Sequence, residues 1–240
     1  MLTRVRYFGR GHPAWYQVNV LAVRDSRSVP LLGLSAGGVS LVALASIGGL
    51  VFTLVQGWPL WAVGMAVVLP WLPVFLRDLA WIYQRYGWLS LFYAAVVTQG
   101  GHCLEHVAQM IQIHVLGLDG ANARGIFGVL DIEVVHFLWN SWVIVAVGLL
   151  VTRFPDNPWL WLTAVLAGWH EIEHAWIFSV YLTTGVSGTP GLLSQGGALL
   201  GGLPISRPDL HFLYNVIESI PLVVAFVRQV PRPTPRPSPV

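Results

Sequence analysis

Charge is scarce in this chain of 240 residues, and lysine is missing altogether. Only 10% of the residues are charged, whereas an ordinary soluble domain carries roughly 25%. Hydrophobic residues make up 55% of the sequence, and the mean hydropathy is +0.65. This composition excludes the ordinary soluble globular class, because too little polar surface is available to cover a core. It predicts an all-α integral membrane protein whose first partner is the lipid bilayer.

Cysteine is nearly absent as well. The single residue, Cys103, excludes a framework of disulfides within the chain. The formal net charge is only +2, which gives no indication of nucleic-acid binding.

Long apolar runs are present in place of charge. A helix needs about 20 residues to cross the bilayer core. Six stretches meet this length, and we predict transmembrane spans near residues 31–56, 59–77, 87–116, 129–152, 157–183 and 209–229. Pro70 and Pro73 interrupt the second of them.

The arginines predict the orientation. Eleven of the thirteen fall on one side of the predicted spans, and only Arg124 and Arg207 fall on the other. Because positive charge in short loops faces the cytoplasm, we expect both termini to be cytoplasmic. The chain is then a multi-pass protein of the cell membrane, inner or plasma.

A compound histidine motif occurs twice, in the same order. The pattern H-x-x-E-H followed by H-F-L-aromatic-N covers six of the eight histidines. Its first copy is His102-Cys103-Leu104-Glu105-His106 with His136-Phe137-Leu138-Trp139-Asn140, and its second is His170-Glu171-Ile172-Glu173-His174 with His211-Phe212-Leu213-Tyr214-Asn215. All four motifs lie inside apolar segments, where an ionisable residue is costly and indicates a functional site.

Helical spacing turns each motif into a cluster of ligands. Residues at positions i, i+3 and i+4 share one helix face, and two histidines one turn apart can chelate a metal ion. Polar side chains also join membrane helices by hydrogen bonds, but the duplication favours metal binding. We therefore expect eight metal ligands: His102, Glu105, His106, His136, His170, Glu173, His174 and His211.

Further polar residues flank these ligands and are expected to support them. They are Asn140, Asn215, Glu133, Glu171, Glu218 and Gln109. A second pattern overlaps the first, because Glu133 and Glu171 each precede a histidine by three residues, as in di-iron carboxylate bundles. The duplicated histidine pattern is the preferred interpretation.

The repeats define the expected architecture. Spans three to six should form an internally duplicated, pseudo-twofold four-helix bundle around the metal site, in the outer half of the membrane. Two external loops should cover it: a short polar one, roughly residues 117–128, and a longer one, roughly residues 183–208, of the length often found in functional lids. The expected segments are a cytoplasmic interfacial region (1–30), two accessory helices (31–86), metal-binding repeat A (87–152), metal-binding repeat B (153–229) and a disordered cytoplasmic tail rich in proline and arginine (230–240).

Two resemblances are confined to short strings. H-x-x-E-H resembles the inverted zinc-protease motif over five residues, although those proteases are soluble. The paired histidines are similar to the histidine boxes of membrane hydroxylases and desaturases, but this chain has no His-His pair. Membership of neither family is inferred.

Three function classes remain open. The favoured one is a membrane oxidoreductase with a dinuclear centre that acts on an apolar or lipid-borne substrate and draws electrons from an external donor. The second is a zinc-dependent intramembrane hydrolase with Glu105 or Glu173 as the general base. The third is a non-enzymatic b-type haem carrier or metal-handling protein. Mixed His/Glu ligation favours two iron ions, with copper or zinc as alternatives and haem ranked last.

A first prediction concerns the two repeated glutamates, which are also the expected catalytic residues. If Glu105 and Glu173 bridge two ions about 3.5–4 Å apart, Glu105→Gln should remove both metals together. Metal content per chain measures this. Two separate mononuclear sites would instead lose at most one ion.

Overall fold

A computed structural model describes residues 36–120, 122–128 and 132–230. The regular elements in these ranges are all helices. Four of the helical segments are long and apolar enough to cross a membrane: Gly37–Val55, Leu60–Tyr86, Glu133–Arg153 and Arg207–Gln229. The predicted membrane class is confirmed at this level. The interfacial segment and the tail beyond residue 230 lie outside the described residues.

Seven helices follow one another along the described chain. They are α1 (Ala36–Val55), α2 (Leu60–Val68), α3 (Leu72–Tyr86), α4 (Leu89–His114), α5 (Ile132–Arg153), α6 (Pro158–Thr184) and α7 (Arg207–Gln229). A single 3-10 turn, Leu69–Trp71, joins α2 to α3.

The second apolar segment is longer than the sequence pattern predicts. It was expected to end near residue 77, but the helical path continues through the 3-10 turn to Tyr86. Pro70 is the second residue of the turn, and Pro73 is the second residue of α3. A proline there lacks only an N–H that would have no helical partner, so it shapes the path without ending it.

Helices α4 and α6 carry the H-x-x-E-H motifs and differ from the four apolar segments. They have 26 and 27 residues, enough to cross a bilayer core by length. Their buried faces contain polar residues, among them Gln99, His102, His106 and Gln109 on α4. These side chains lower the mean hydropathy of the helices that hold them.

The last four helices pack in a closed ring. Helix α4 packs against α5 and α7, and α6 packs against the same two helices. The two H-x-x-E-H helices therefore occupy opposite corners. Helices α1 and α2 pack together, and α3 packs against the outside of α4.

One end of this ring is filled by apolar side chains. Its fully buried members include Phe92, Leu150, Leu160 and Leu222, one from each helix of the ring. Asn157 closes this end, because its Oδ1 caps α6 at Leu160 and its Nδ2 donates to the carbonyl of Ala225. The histidines lie towards the opposite end.

The opposite end carries the two long connections, α4–α5 and α6–α7, and is called the loop face here. His114 at the end of α4 and Asp209 at the start of α7 meet across it, 2.7 Å apart. Helix α6 ends at Gly185 with a left-handed φ of 69°, and Ser206 caps α7 by accepting from the N–H of Asp209.

The apolar end should carry much of the stability of the ring. Leu150→Ala should lower the free energy of unfolding by about 2–5 kcal/mol, since it leaves a cavity in a packed core. Leu149→Ala is the matched control, because the neighbouring side chain is 45% exposed while Leu150 is fully buried. Unfolding in mixed detergent micelles measures both, and equal losses would contradict the placement of this core.

Candidate metal centre

The histidines of the second repeat converge on one point. The Nε2 atoms of His170 and His174 lie 3.1 Å apart, and so do those of His174 and His211. All three side chains are buried. Their ligand atoms lie within 4.8 Å of one another, close enough to hold a single metal ion.

The histidines of the first repeat form an equivalent group. The ring centroids of His102 and His106 are 4.7 Å apart, and each lies 5.3 Å from that of His136. Their ligand atoms also lie within 4.8 Å of one another. Each group takes two histidines from one turn of an H-x-x-E-H helix and one from the first turns of the helix that follows it. We call the groups triad A and triad B.

Two nitrogen atoms in triad A have no hydrogen-bond partner among the described residues. They are the buried Nε2 atoms of His102 and His106. Leaving a buried polar atom unsatisfied costs about 1–3 kcal/mol, so such atoms indicate that something else binds there. Metal ligation would use both lone pairs.

The two triads lie side by side. His136 of triad A stacks on His174 of triad B at a centroid distance of 5.6 Å and an angle of 19°. His106 and His211 form the matching pair, at 6.2 Å and 21°. In the duplicated motif His106 corresponds to His174, and His136 corresponds to His211. The duplication therefore converts one stacked pair into the other, and the contact between the triads follows the internal symmetry of the motifs.

In several of these imidazoles, Nδ1 (the ring nitrogen that faces away from the triad) lies within hydrogen-bond distance of a neighbouring polar group. Nδ1 of His170 lies 3.1 Å from Oε2 of Glu218, and Nδ1 of His106 lies 3.2 Å from Oε1 of Gln109. Nδ1 of His211 donates to the carbonyl of Arg207 at 3.0 Å. An imidazole that donates from Nδ1 presents its lone pair at Nε2, as metal-bound histidines usually do.

The repeated glutamates have a different environment from the one expected. Oε1 of Glu105 accepts hydrogen bonds from three consecutive backbone N–H groups of the α4–α5 loop, those of Ile126, Phe127 and Gly128, at 2.7, 2.6 and 3.1 Å. Oε1 of Glu173 accepts from Leu192 and Leu193 of the α6–α7 loop at 2.8 and 3.3 Å. Each repeat thus ties its own loop to its H-x-x-E-H helix.

A glycine makes each of these contacts possible. A side chain on Gly125 would collide with the Glu105 carboxylate, and one on Gly191 would collide with that of Glu173. Sequence reasoning missed this device, although a signal exists: a glycine followed by two apolar residues occurs in both loops. The strings are Gly125-Ile126-Phe127 and Gly191-Leu192-Leu193.

Glutamines of α4 add to the attachment of the first loop. Gln109 donates to the carbonyl of Ala123, and Gln112 exchanges two hydrogen bonds with the backbone of Gly125. Gln109 therefore serves both the loop and the His106 imidazole.

Glu133 forms a bidentate ion pair with Arg207, at 2.9 and 2.7 Å. The same carboxylate accepts from the N–H of Gly188, and Arg207 also donates to the carbonyl of Thr189. This pair, in which Glu133 is buried and Arg207 half-buried, joins the start of α5, the start of α7 and the second loop.

The remaining residues that were expected to support the ligands differ in what they contact. Asn140 and Asn215 donate to the carbonyls of His136 and His211, one turn earlier on their own helices. Gln99, which the sequence analysis did not select, donates to Oδ1 of Asn215. Glu171 accepts a hydrogen bond from Ser141 at 2.7 Å, which joins α6 to α5.

The structure therefore brings the six predicted histidines together in two groups of three. Neither Glu105 nor Glu173 belongs to these groups. Bridging by the two carboxylates stays a prediction, and the contacts of their Oε1 atoms favour attachment of the loops instead.

No family model, no curated protein and no solved structure matches this chain. The site must be interpreted from its own geometry.

Attachment of the loops can be tested at Gly191. Gly191→Ala should push the second loop away from Glu173 and raise amide hydrogen exchange at Leu192 and Leu193 about 10- to 100-fold. That range corresponds to the roughly 1.5–3 kcal/mol of hydrogen bonds to a charged group. Gly168→Ala in α6 is the control, since an added Cβ there makes only ordinary contact. Unchanged exchange in Gly191→Ala would contradict the attachment.

Proposed function

We propose that this chain is a multi-pass membrane metalloprotein that holds two metal ions, one in each histidine triad. In this proposal α4 and α6 also cross the bilayer, giving six crossings, and the four-helix ring is an internally duplicated bundle around the metals. Both termini face the cytoplasm, as the arginine distribution predicts. The observation that carries the proposal is the convergence of three buried imidazoles twice in one ring of helices.

The donor set argues for copper or zinc ahead of iron. Iron was favoured from the sequence because the carboxylates were expected among the ligands. With Glu105 and Glu173 attached to loop N–H groups, each triad offers three imidazoles. Imidazole donors suit copper and zinc well, and non-haem iron centres commonly include a carboxylate.

The proximity of the triads supports a redox function. His136 and His174, from different triads, are stacked at 5.6 Å, so two ions held by the triads would be neighbours. A pair of neighbouring copper ions can exchange two electrons with one small molecule. We therefore propose an oxidoreductase that draws its electrons from, or delivers them to, a separate partner.

One observation supports the alternative of a zinc-dependent hydrolase. Oε2 of Glu173 is buried and has no hydrogen-bond partner in the described part of the chain. A carboxylate oxygen in that state, one residue from His174, could act as a general base towards a metal-bound water. The haem alternative has less support, because the centroids of the histidine rings lie 4.8–5.6 Å apart and leave no slot for a macrocycle.

Metal analysis of the purified protein tests this proposal. The unmodified protein should contain two ions per chain, and His170→Ala should lower that content because it removes one of three donors from triad B. His114→Ala is the matched control, since His114 is exposed and pairs with Asp209 away from both triads.

The identity of the metal separates the alternatives. Two coppers per chain support the oxidoreductase, zinc alone supports the hydrolase, and a haem absorption band would contradict both. A protein that stays free of metal after incubation with copper and with zinc would refute the metal centre itself.

A further inference from the structure

A small cavity lies beside the two triads, towards the loop face. It has a volume of about 150 Å³, and histidines of both triads line it, namely His106, His136 and His211. The wall also includes Gly120 of the first loop, Gly188 of the second loop and Arg207. The cavity thus reaches metal-binding side chains from the end of the bundle that carries the loops.

We propose that this cavity is a binding site for a small Lewis base of a few heavy atoms, which reaches the metal centre from the loop face. The proposal rests on the proposed function, because it assumes that the triads hold metal. It specifies the ligand class and its route, which the metal centre alone does not.

The size of the cavity sets the class of ligand. A water molecule occupies about 30 Å³ in the liquid, so the volume corresponds to about five waters. A whole lipid chain or isoprenoid tail is larger than this space. An apolar, lipid-borne substrate would therefore have to donate its electrons from outside this cavity, while the molecule that meets the metals here is small.

The chemistry of the wall favours a ligand that coordinates metal. Nε2 of His106 is buried and has no hydrogen-bond partner among the described residues, and the same side chain lines the cavity. The guanidinium of Arg207 is already neutralised by its bidentate pair with Glu133. A ligand held here would gain most of its binding energy from the metal ions, with little contribution from a free protein charge.

The wall is also held in place. Glu105 attaches the first loop, and the Glu133–Arg207 pair attaches the second loop at Gly188 and Thr189. The opposite end of the bundle is filled by the apolar core around Phe92 and Leu150. Loops attached at these points and a packed core at the other end favour selection of the ligand by its size.

Gly120 offers a way to close the cavity without disturbing the metals. An added Cβ at this position meets no atom within 4 Å, and its backbone is not in the left-handed region. Gly120→Leu should therefore fold normally, and because Gly120 is part of the cavity wall, the larger side chain is expected to narrow the cavity at that wall. Gly148→Leu is the matched control, because Gly148 is equally open but lies on the exposed side of α5.

The probe is azide, a three-atom anion that coordinates metals and changes their absorption. It would be titrated into full-length protein in detergent that carries copper, or cobalt(II) if zinc is the native metal. We expect the unmodified protein and Gly148→Leu to bind azide alike. Gly120→Leu should bind it at least tenfold more weakly or more slowly, with the same metal content.

Several results would overturn this proposal. Equal azide binding in all three proteins would show that the ligand arrives by another route, and metal-loaded protein that binds no azide would show that there is no such site. If Gly120→Leu loses metal, Gly120→Ala is measured next. Retained metal with weakened azide binding then supports the proposal, and renewed metal loss contradicts it. A chain that binds no metal at all refutes the proposed function first.

Discussion

The structure depends on the cost of burying polar groups where water cannot reach them. Six imidazoles lie inside a helical ring, and each has two nitrogen atoms that need a partner. Glu218, Gln109 and the carbonyl of Arg207 satisfy Nδ1 atoms, so that lone pairs point towards a shared centre. Burying glutamate and glutamine side chains in this way costs more than burying apolar residues at the same positions, and this supports the proposed metal centre.

The sequence predicted the grouping of the histidines and missed the loop contacts of the glutamates, for a physical reason. Helical spacing determines which side chains share a face, and this was enough to group His102 with His106 and His170 with His174. It does not determine how far a flexible carboxylate reaches along that face. The donors that capture Glu105 are backbone N–H groups of a loop, and every residue type except proline offers the same N–H. The only sequence signal of this contact is the glycine that precedes these N–H groups, Gly125.

For the helices too, sequence patterns predicted some features and not others. Apolar length predicted the four segments that are long and apolar enough to cross a membrane, but the second one extends to Tyr86 because its prolines fall at the start of new helical turns. The partners of the remaining polar residues depend on which helices become neighbours. Pairs such as Glu133 with Arg207 and Gln99 with Asn215 join positions 74 and 116 residues apart, and no local spacing predicts them.

All three histidines of each triad are duplicated, but the residues that contact their Nδ1 atoms are not. Seven residues after His211 stands Glu218, whose carboxylate supports His170, whereas seven residues after His136 stands Val143. A carboxylate behind an imidazole makes that imidazole a more basic donor. Two ions of the same element would therefore experience different ligand fields, with the higher charge state stabilised in triad B. Gene duplication followed by loss of symmetry at supporting positions such as this one would turn a pair of equal sites into a donor and an acceptor.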